Sequence, residues 1–400
     1  MKKISFNIIA NAVIGYEGLS GGDSIFINFA KQIARKKDVE VNIFTWKHGE
    51  LMCEKNGLDK SQIKFFLSGA GKFENLPFAF LYLVRTYLGI KKVWQVIKSG
   101  YFEDKKVIIY SASDFYPDSF VGLFFKSWLK KAKWVAGFYL FAPNPFKGFR
   151  GDYKKEISLP SSKSLAFWLS QRLPLWFISH WADLICVTSQ PEVKRFLKMG
   201  RKKKNIFVVK GGIDYDHLKK FQRRIGKVYQ AVFVGRFHSQ KGVIEMIDIW
   251  QKVVGKKPKA KLALIGLGPM EQQMRQKVKK YGLEKNIDFL GVMLGNDRNR
   301  VLQRSEIILH PAVYDSGGMA AAYGLACGLP GVSFDLPAFK TYYPNGFLKV
   351  RTGDFSGFAK EIIRLLEDKE LYKKISKLAI KEASTWAWPK RIEKFWQTVK

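Results

Sequence analysis

Ala231 to Phe237 reads AVFVGRF, and HSQKG follows at once from His238 to Gly242. The apolar run predicts a short buried strand, Gly235 a turn that carries Arg236, and Gly242 the opening of an amphipathic helix with Lys241 just before it. A strand that ends in a glycine turn at a helix start offers backbone N–H groups and the positive end of a helix dipole. Two cations beside that point, one of them an arginine able to make two parallel bonds, form a place for a diphosphate. The plainer reading is that Arg236 and Lys241 are surface cations of a lysine-rich chain; their position on either side of a strand-to-helix turn favours the phosphate.

The same alternation of strand and helix patterns runs outward from this stretch. Strands are expected at Lys3–Ala10, Val39–Trp46, Val107–Tyr110, Trp134–Leu140, Asp183–Ser189 and Ile206–Val209, with a helix over Asp23–Arg35. Lys210–Gly226, polar and containing Gly211-Gly212, reads as a linker. Beyond it come strands at Tyr229–Val234, Lys261–Ile265, Ile287–Leu290, Glu306–His310 and Gly331–Phe334, with helices over Val243–Val254 and Met270–Tyr281 and another starting near Met319. Strands spaced by helix-length patterns predict an α/β chain of two doubly wound parallel-sheet (Rossmann-like) domains. Ligands of such domains belong at strand C-termini, here in a cleft between the two. A length of 400 residues suits two ordinary domains.

Composition excludes several classes. With 47% hydrophobic residues both domains can bury a core. Cys53, Cys186 and Cys327 lie far apart without a Cys-x-x-Cys pair, which argues against a zinc site or disulfide scaffold and for a reducing cytoplasm. The N-terminal MKKISFNIIANAVIG is broken by Asn7 and Asn11 and reads as a first strand, not a signal peptide. The apolar stretches are too short to cross a bilayer, so the chain is expected to be soluble or peripheral. The formal charge of +35 is spread along the chain without a basic tail or an RNA-binding aromatic motif, which argues against nucleic acid as a partner. Leu76–Lys98 and Ser164–Trp181 mix aromatics with lysine and arginine. Two readings of them stay open: buried helices with snorkelling cations, or a surface drawn to anionic lipid.

Taken together, GRF-x3-KG (Gly235–Gly242), LIGLGP (Leu264–Pro269) and HPAVYDSGGMAAAYGLACGLPGVSFD (His310–Asp335) resemble the donor-domain signature of the family-4 glycosyltransferases, which adopt the GT-B fold. EGLSGGD (Glu17–Asp23) resembles their glycine-rich acceptor-side loop. Alone, Gly266-x-Gly268-Pro269 would be a weak dinucleotide fingerprint with its third glycine replaced. The resemblance implies a hexosyltransferase-type enzyme that moves a sugar from a nucleotide-sugar donor to a glycan or lipid-linked acceptor. It would retain the anomeric configuration, use neither metal nor cofactor, and serve polysaccharide or glycolipid biosynthesis at the cytoplasmic face of a membrane.

Carried over by position, the resemblance makes Arg236, Lys241 and Asp315 the catalytic group. Gly235, Gly266, Gly268, Ser316, Gly317, Gly318, Met319 and Tyr323 become the donor and nucleotide site, and Gly21, Gly22, Asp114 and Tyr139 the acceptor side. It divides the chain into an acceptor-side domain over 1–210, a donor domain over 225–380 and a C-terminal helix over 385–400, bearing Trp386 and Trp388, that packs back on the first domain. Two departures fall at the centre of the site. Where the family has a Glu-x7-Glu pair, Asp315 stands first and Tyr323 replaces the second glutamate. The acceptor-side stretch GFYLFAPNP also lacks the histidine of many relatives and leaves Tyr139 as the nearest polar candidate, while Asp114 reads either as an acceptor-side group or as a helix cap. These departures leave a variant transferase or, as the alternative, a catalytically weak or silent GT-B protein that binds sugar nucleotides or glycans.

Overall fold

The computed structural model describes residues 3–13, 19–71, 73, 76–150, 159–222 and 225–400. Glu17 and Gly18 of the glycine-rich stretch, and Arg223 and Arg224 of the linker segment, lie outside the described residues. The chain divides into two compact units. One comprises Met1–Ala142, Ser162–Gly211 and Trp388–Lys400, the other Pro143–Ser161 and Gly212–Ala387.

In the first unit the strands are β1 (Ile4–Ala10), β2 (Val39–Trp46), β3 (Ile63–Gly69), β4 (Lys106–Ser111), β5 (Lys133–Gly137), β6 (Leu184–Val187) and β7 (Ile206–Val208). They form one sheet in the order β3-β2-β1-β4-β5-β6-β7, every pair parallel. The second unit holds β8 (Tyr229–Val234), β9 (Leu262–Ile265), β10 (Ile287–Phe289), β11 (Ser305–His310), β12 (Gly331–Phe334) and β13 (Phe347–Val350), again all parallel, in the order β10-β9-β8-β11-β12-β13. Two such Rossmann-like halves make the GT-B fold.

The strand sequences follow from burial on both faces. Along β8 and β9 the side chains alternate between two cores: Ala231, Phe233, Leu262 and Leu264 enter one, while Val232, Ala263 and Ile265 enter the other. Both faces being covered by helices, neither alternation leaves a polar position in the middle of the strand. In each sheet the chain winds outward to one side and then returns to the other. The strand order therefore reverses beside β1 and β4 in one unit and beside β8 and β11 in the other. Loops leaving the C-terminal ends of those strands diverge to opposite faces and leave room for a ligand.

The segment expected to be a linker is largely built into the second unit. The chain changes unit at Gly211–Gly212, and Ile213 and Leu218 are 1% exposed, the first pairing with Ala387 in an isolated bridge. Trp386 also stays with the second unit, fully buried and stacked on Tyr343 at 5.2 Å. The helix Trp388–Val399 belongs to the first unit, where Phe395 stacks on Phe29 at 4.1 Å and meets Phe6 edge-on.

Leu76–Lys98 and Ser164–Trp181 are only half buried. The helix Phe78–Lys98 turns Leu81, Tyr82, Arg85, Val93 and Val96 inward but leaves Phe80, Leu83 and Tyr87 about 60% exposed on one face. The helix Ser162–Ser170 buries no residue, and Leu173, Trp176 and Trp181 of the next helix stand about half exposed. Among the described residues no helix is long and apolar enough to cross a membrane.

Candidate functional site

The turn after β8 and the loop after β11 are stitched together by backbone. Val313 and Tyr314 N–H both donate to Gln240 O, at 3.0 and 3.2 Å. Gly242, at φ 64°, sits so close to Pro311 that a Cβ would lie 1.9 Å from its carbonyl oxygen. Only glycine lets these two loops touch. The contact brings Lys241 to Asp315, and the ammonium hydrogen-bonds Asp315 Oδ2. Asp315 Oδ1 accepts from Gly317 N–H at 3.1 Å.

Burial alone would raise the Asp315 carboxyl. Lys241, then His310 and the Gly317 N–H, outweigh it and hold the group below the ordinary carboxylate range. An ion pair this buried is a costly way to gain stability. Its position, across the strand-order reversal, marks it as a site.

Arg236 stands exposed on the loop beyond β8, and its own carbonyl accepts the His238 N–H. His238 is half-buried against Phe149, and its pKa is lowered by burial and by the charges of Arg236 and Lys241, so its ring is neutral at pH 7. The turn uses part of its own backbone. Lys241 and Gly242 N–H are spent in a tight turn on His238 and Ser239, and Gln240 N–H meets His238 Nδ1. The helix that follows, Val243–Lys256, has no side-chain cap at Gly242, so its first turn still faces the loop with backbone donors.

A second set of N–H groups lies in the loop after β11, at the Gly317-Gly318 stretch. Among the described residues those of Gly318, Met319 and Ala320 have no partner within the protein, while Ala321, Ala322 and Tyr323 already bond back to the carbonyls of 318–320. The helix that they open, Ala321–Ala326, is short, so the loop rather than a helix dipole supplies the donors.

The remaining donor-side candidates surround this point. Gly235, Gly266 and Gly268 are packing glycines: a Cβ on Gly266 would lie 2.0 Å from Gly235 O, and one on Gly268 2.3 Å from Phe237 O. They let the loops after β8 and β9 lie against each other. A Cβ on Gly317 would lie 2.3 Å from the Tyr342 ring, and one on Gly318, at φ 68°, 2.3 Å from His310 Nε2. Ser316 is buried, and Met319 packs on the apolar cluster around Val232. Tyr323 carries the Arg298 guanidinium over its ring at 3.6 Å, so a cation stands where the resemblance would place a carboxylate.

On the acceptor side Gly21 and Gly22 open the helix Gly21–Ile33, which is capped reciprocally by Ser20 and Asp23. Tyr139 packs on Gly22, and its hydroxyl pairs with that of Tyr110. Asp114 caps nothing: the cap residue is Phe115, and Asp114 Oδ2 accepts from Gln171 Nε2 at 2.9 Å. Burial first, against the Gln171 bond, pushes its carboxyl up to about 6. The motif reading did not single out Asp118. Its carboxylate joins Ala12 N–H (3.0 Å) and Ser113 Oγ (2.6 Å) beside the strand-order reversal, and burial pushes it up to about 7. Nearby Arg85, 2% exposed, donates to the carbonyls of Asn11 and Val13. Arg85, Asp118 and Arg298 carry no motif of their own, and His310 opens the His310–Asp335 stretch without having been singled out; a buried charge in an amphipathic helix is the only signal that could have found Arg85.

Residues 214–382 match the family model "Glycosyl transferases group 1". This segment is similar to the group 1 glycosyl transferases. It resembles the poly(glycerol-phosphate) alpha-glucosyltransferase of Bacillus subtilis, 24% identical over 41% of this chain and 25% of that one. It also resembles the N-acetyl-alpha-D-glucosaminyl L-malate synthase of Bacillus anthracis, 25% identical over 50% and 54%. The chain spans about half or less of the length of these curated relatives. Over nearly its full length it shares its fold with Anabaena HepE in complex with UDP-glucose (TM-score 0.69, 16% identical, 99% of each chain). The sucrose-phosphate synthase of Thermosynechococcus elongatus gives 0.72 at 16% identity over 98% of each. Family and relatives are those of transferases, and glycosyltransferase family and GT-B fold agree with the motifs read from the sequence.

Proposed function

We propose that this chain is a retaining, metal-independent glycosyltransferase of the hexosyltransferase type that transfers a sugar from a nucleotide-sugar donor. The second unit would hold the donor and the first unit the acceptor, a glycan or a lipid-linked glycan. The observation that carries this is the Lys241–Asp315 pair beside the unspent N–H groups of Gly318, Met319 and Ala320. As the bond between the anomeric carbon and the diphosphate oxygen lengthens, negative charge gathers on the leaving group and the sugar becomes oxocarbenium-like. Arg236, Lys241 and the three N–H groups would take up that charge, while Asp315 faces the sugar. The acceptor oxygen forms the new bond, and its proton leaves with the diphosphate. Relatives named for a poly(glycerol-phosphate) glucosyltransferase and an N-acetylglucosaminyl malate synthase, and a fold neighbour in complex with UDP-glucose, support the class.

We place the protein at the cytoplasmic face of an anionic membrane, in polysaccharide or glycolipid assembly, on the aromatic and basic helices of the first unit. A second reading, a silent binder of sugar nucleotides, is favoured by one observation: Tyr323 and Arg298 replace a ribose-holding carboxylate. A thermal-shift panel of UDP-, GDP- and ADP-sugars tests donor binding. One donor should raise the parent's Tm, and Arg236→Ala should abolish the shift while changing the ligand-free stability by no more than about 0.5 kcal/mol. No response to any of them rejects the donor site; a response without transfer of labelled sugar to membrane extract selects the silent binder.

A further inference from the structure

His310 ends β11 with its ring wedged among Phe339 (4.5 Å between centroids), Tyr343 (5.8 Å) and Phe347 (6.3 Å). It is 4% exposed, and its Nε2 is buried without a hydrogen-bond partner. An unsatisfied buried nitrogen is costly to keep, so its direction is informative. The point where Gly318 would carry a Cβ lies 2.3 Å from His310 Nε2 and 2.9 Å from Asp315 Oδ2. The side chain missing at 318 is the space across which imidazole and carboxylate face each other.

Asp315 is held by Lys241 and the Gly317 N–H, and its side chain is 7% exposed. A lysine drawn onto a diphosphate loosens its hold on that carboxylate, which is expensive to leave buried with one neutral donor. The third ionisable group at the spot, the Tyr343 hydroxyl, is already committed to Gly318 O at 2.6 Å. We propose that His310 is a positioning residue that takes over Asp315 through Nε2–H when Lys241 moves to the donor's diphosphate, so that the carboxylate keeps its aim at the sugar. This rests on the role given to Lys241 above. Burial, opposed by Asp315 and reinforced by the Lys241 charge, holds the imidazole down at about 4, so it is neutral and uncommitted until the lysine withdraws.

Lys241→Met imitates the withdrawal without any ligand. By NMR of the histidine ring nitrogens, the pKa of His310 should rise by about one unit or more in this variant. Adding Asp315→Asn should cancel the rise. His310→Phe alone should barely change Tm, Lys241→Met with His310→Phe should lose more than the two singles together, and His310→Gln in place of Phe should restore part of the loss. An unchanged His310 pKa in Lys241→Met, a rise that survives Asp315→Asn, or strictly additive losses would each overturn the proposal. If the double variant does not fold, the ring titration of Lys241→Met decides alone. These measurements use no nucleotide, so an exchange seen here with no donor in the thermal-shift panel would sink the transferase reading and not the Asp315–His310 coupling.

Discussion

At the scale of single residues, two kinds of position do different work. Arg236 is exposed and touches little, so it is legible only as a charge placed by a turn. Gly318 is the reverse: its value is what it lacks. A Cβ there would both adopt a left-handed φ of 68° and overlap His310 Nε2. Gly318→Ala should therefore cost about 2–3 kcal/mol in chemical denaturation. Gly255→Ala, on the helix Val243–Lys256 with open space around it, should instead gain about 0.5–1 kcal/mol. Asp118 carries a pH signature. Its folded pKa, about 7, lies above the usual value near 4, so between those limits the folded state binds the proton more tightly. Its contribution to stability is present at low pH and is lost as pH rises through that window. Asp118→Asn should show a smaller fall in stability than the parent between pH 5 and 7.5, measured by urea unfolding; equal slopes would mean that Asp118 is not held protonated.

Elements that carry a sharp pattern were readable, and those without one were not. β8 and β12 match their expected runs residue for residue, because a strand covered on both faces is short and largely apolar. β3 and β13 escaped. β3 is the sheet edge, half-buried along most of its length, and β13 places Lys349 beside Leu348, so neither run stands out from a surface loop. The resemblance put Lys241 and Asp315 in one catalytic group, and the structure pairs them. The tight turn over Ser239–Gly242 was not legible, since nothing in those residues announces that the turn will use its own N–H groups. Asp114 read either as an acceptor-side group or as a cap, since Asp before a helix is often one; its Gln171 partner is 57 residues away, beyond the reach of local pattern. The helix Trp388–Val399 makes a further test. Removing residues 388–400 uncovers Phe6, Phe29 and Tyr110, so the transition of the first unit should drop by well over 10 °C in calorimetry while that of the second unit stays in place.

Across the whole molecule, charge and exposure combine. The formal charge is +35, and the stretches Leu76–Lys98 and Ser164–Trp181 contain no Asp or Glu while exposing Phe80, Leu83, Tyr87, Leu173, Trp176 and Trp181. Exposed aromatic and leucine side chains in stretches whose charged residues are all cationic suit a layer of anionic headgroups, each cation near the surface adding about 1 kcal/mol. Cosedimentation with phosphatidylglycerol-containing vesicles, but not with pure phosphatidylcholine vesicles, is expected. Replacing Phe80, Leu83 and Tyr87 by serine should weaken it at least tenfold, and equal recovery in both supernatants would remove the membrane from the account. The path of the backbone has its own bearing on how such a molecule is made. The first unit is interrupted by the second and regains its last helix only at Trp388. On the ribosome, the second unit has its whole sequence available before the aromatic nest around Phe29 receives its lid. A nascent chain paused between those moments exposes sticky rings, and it is there that a chaperone would find its client.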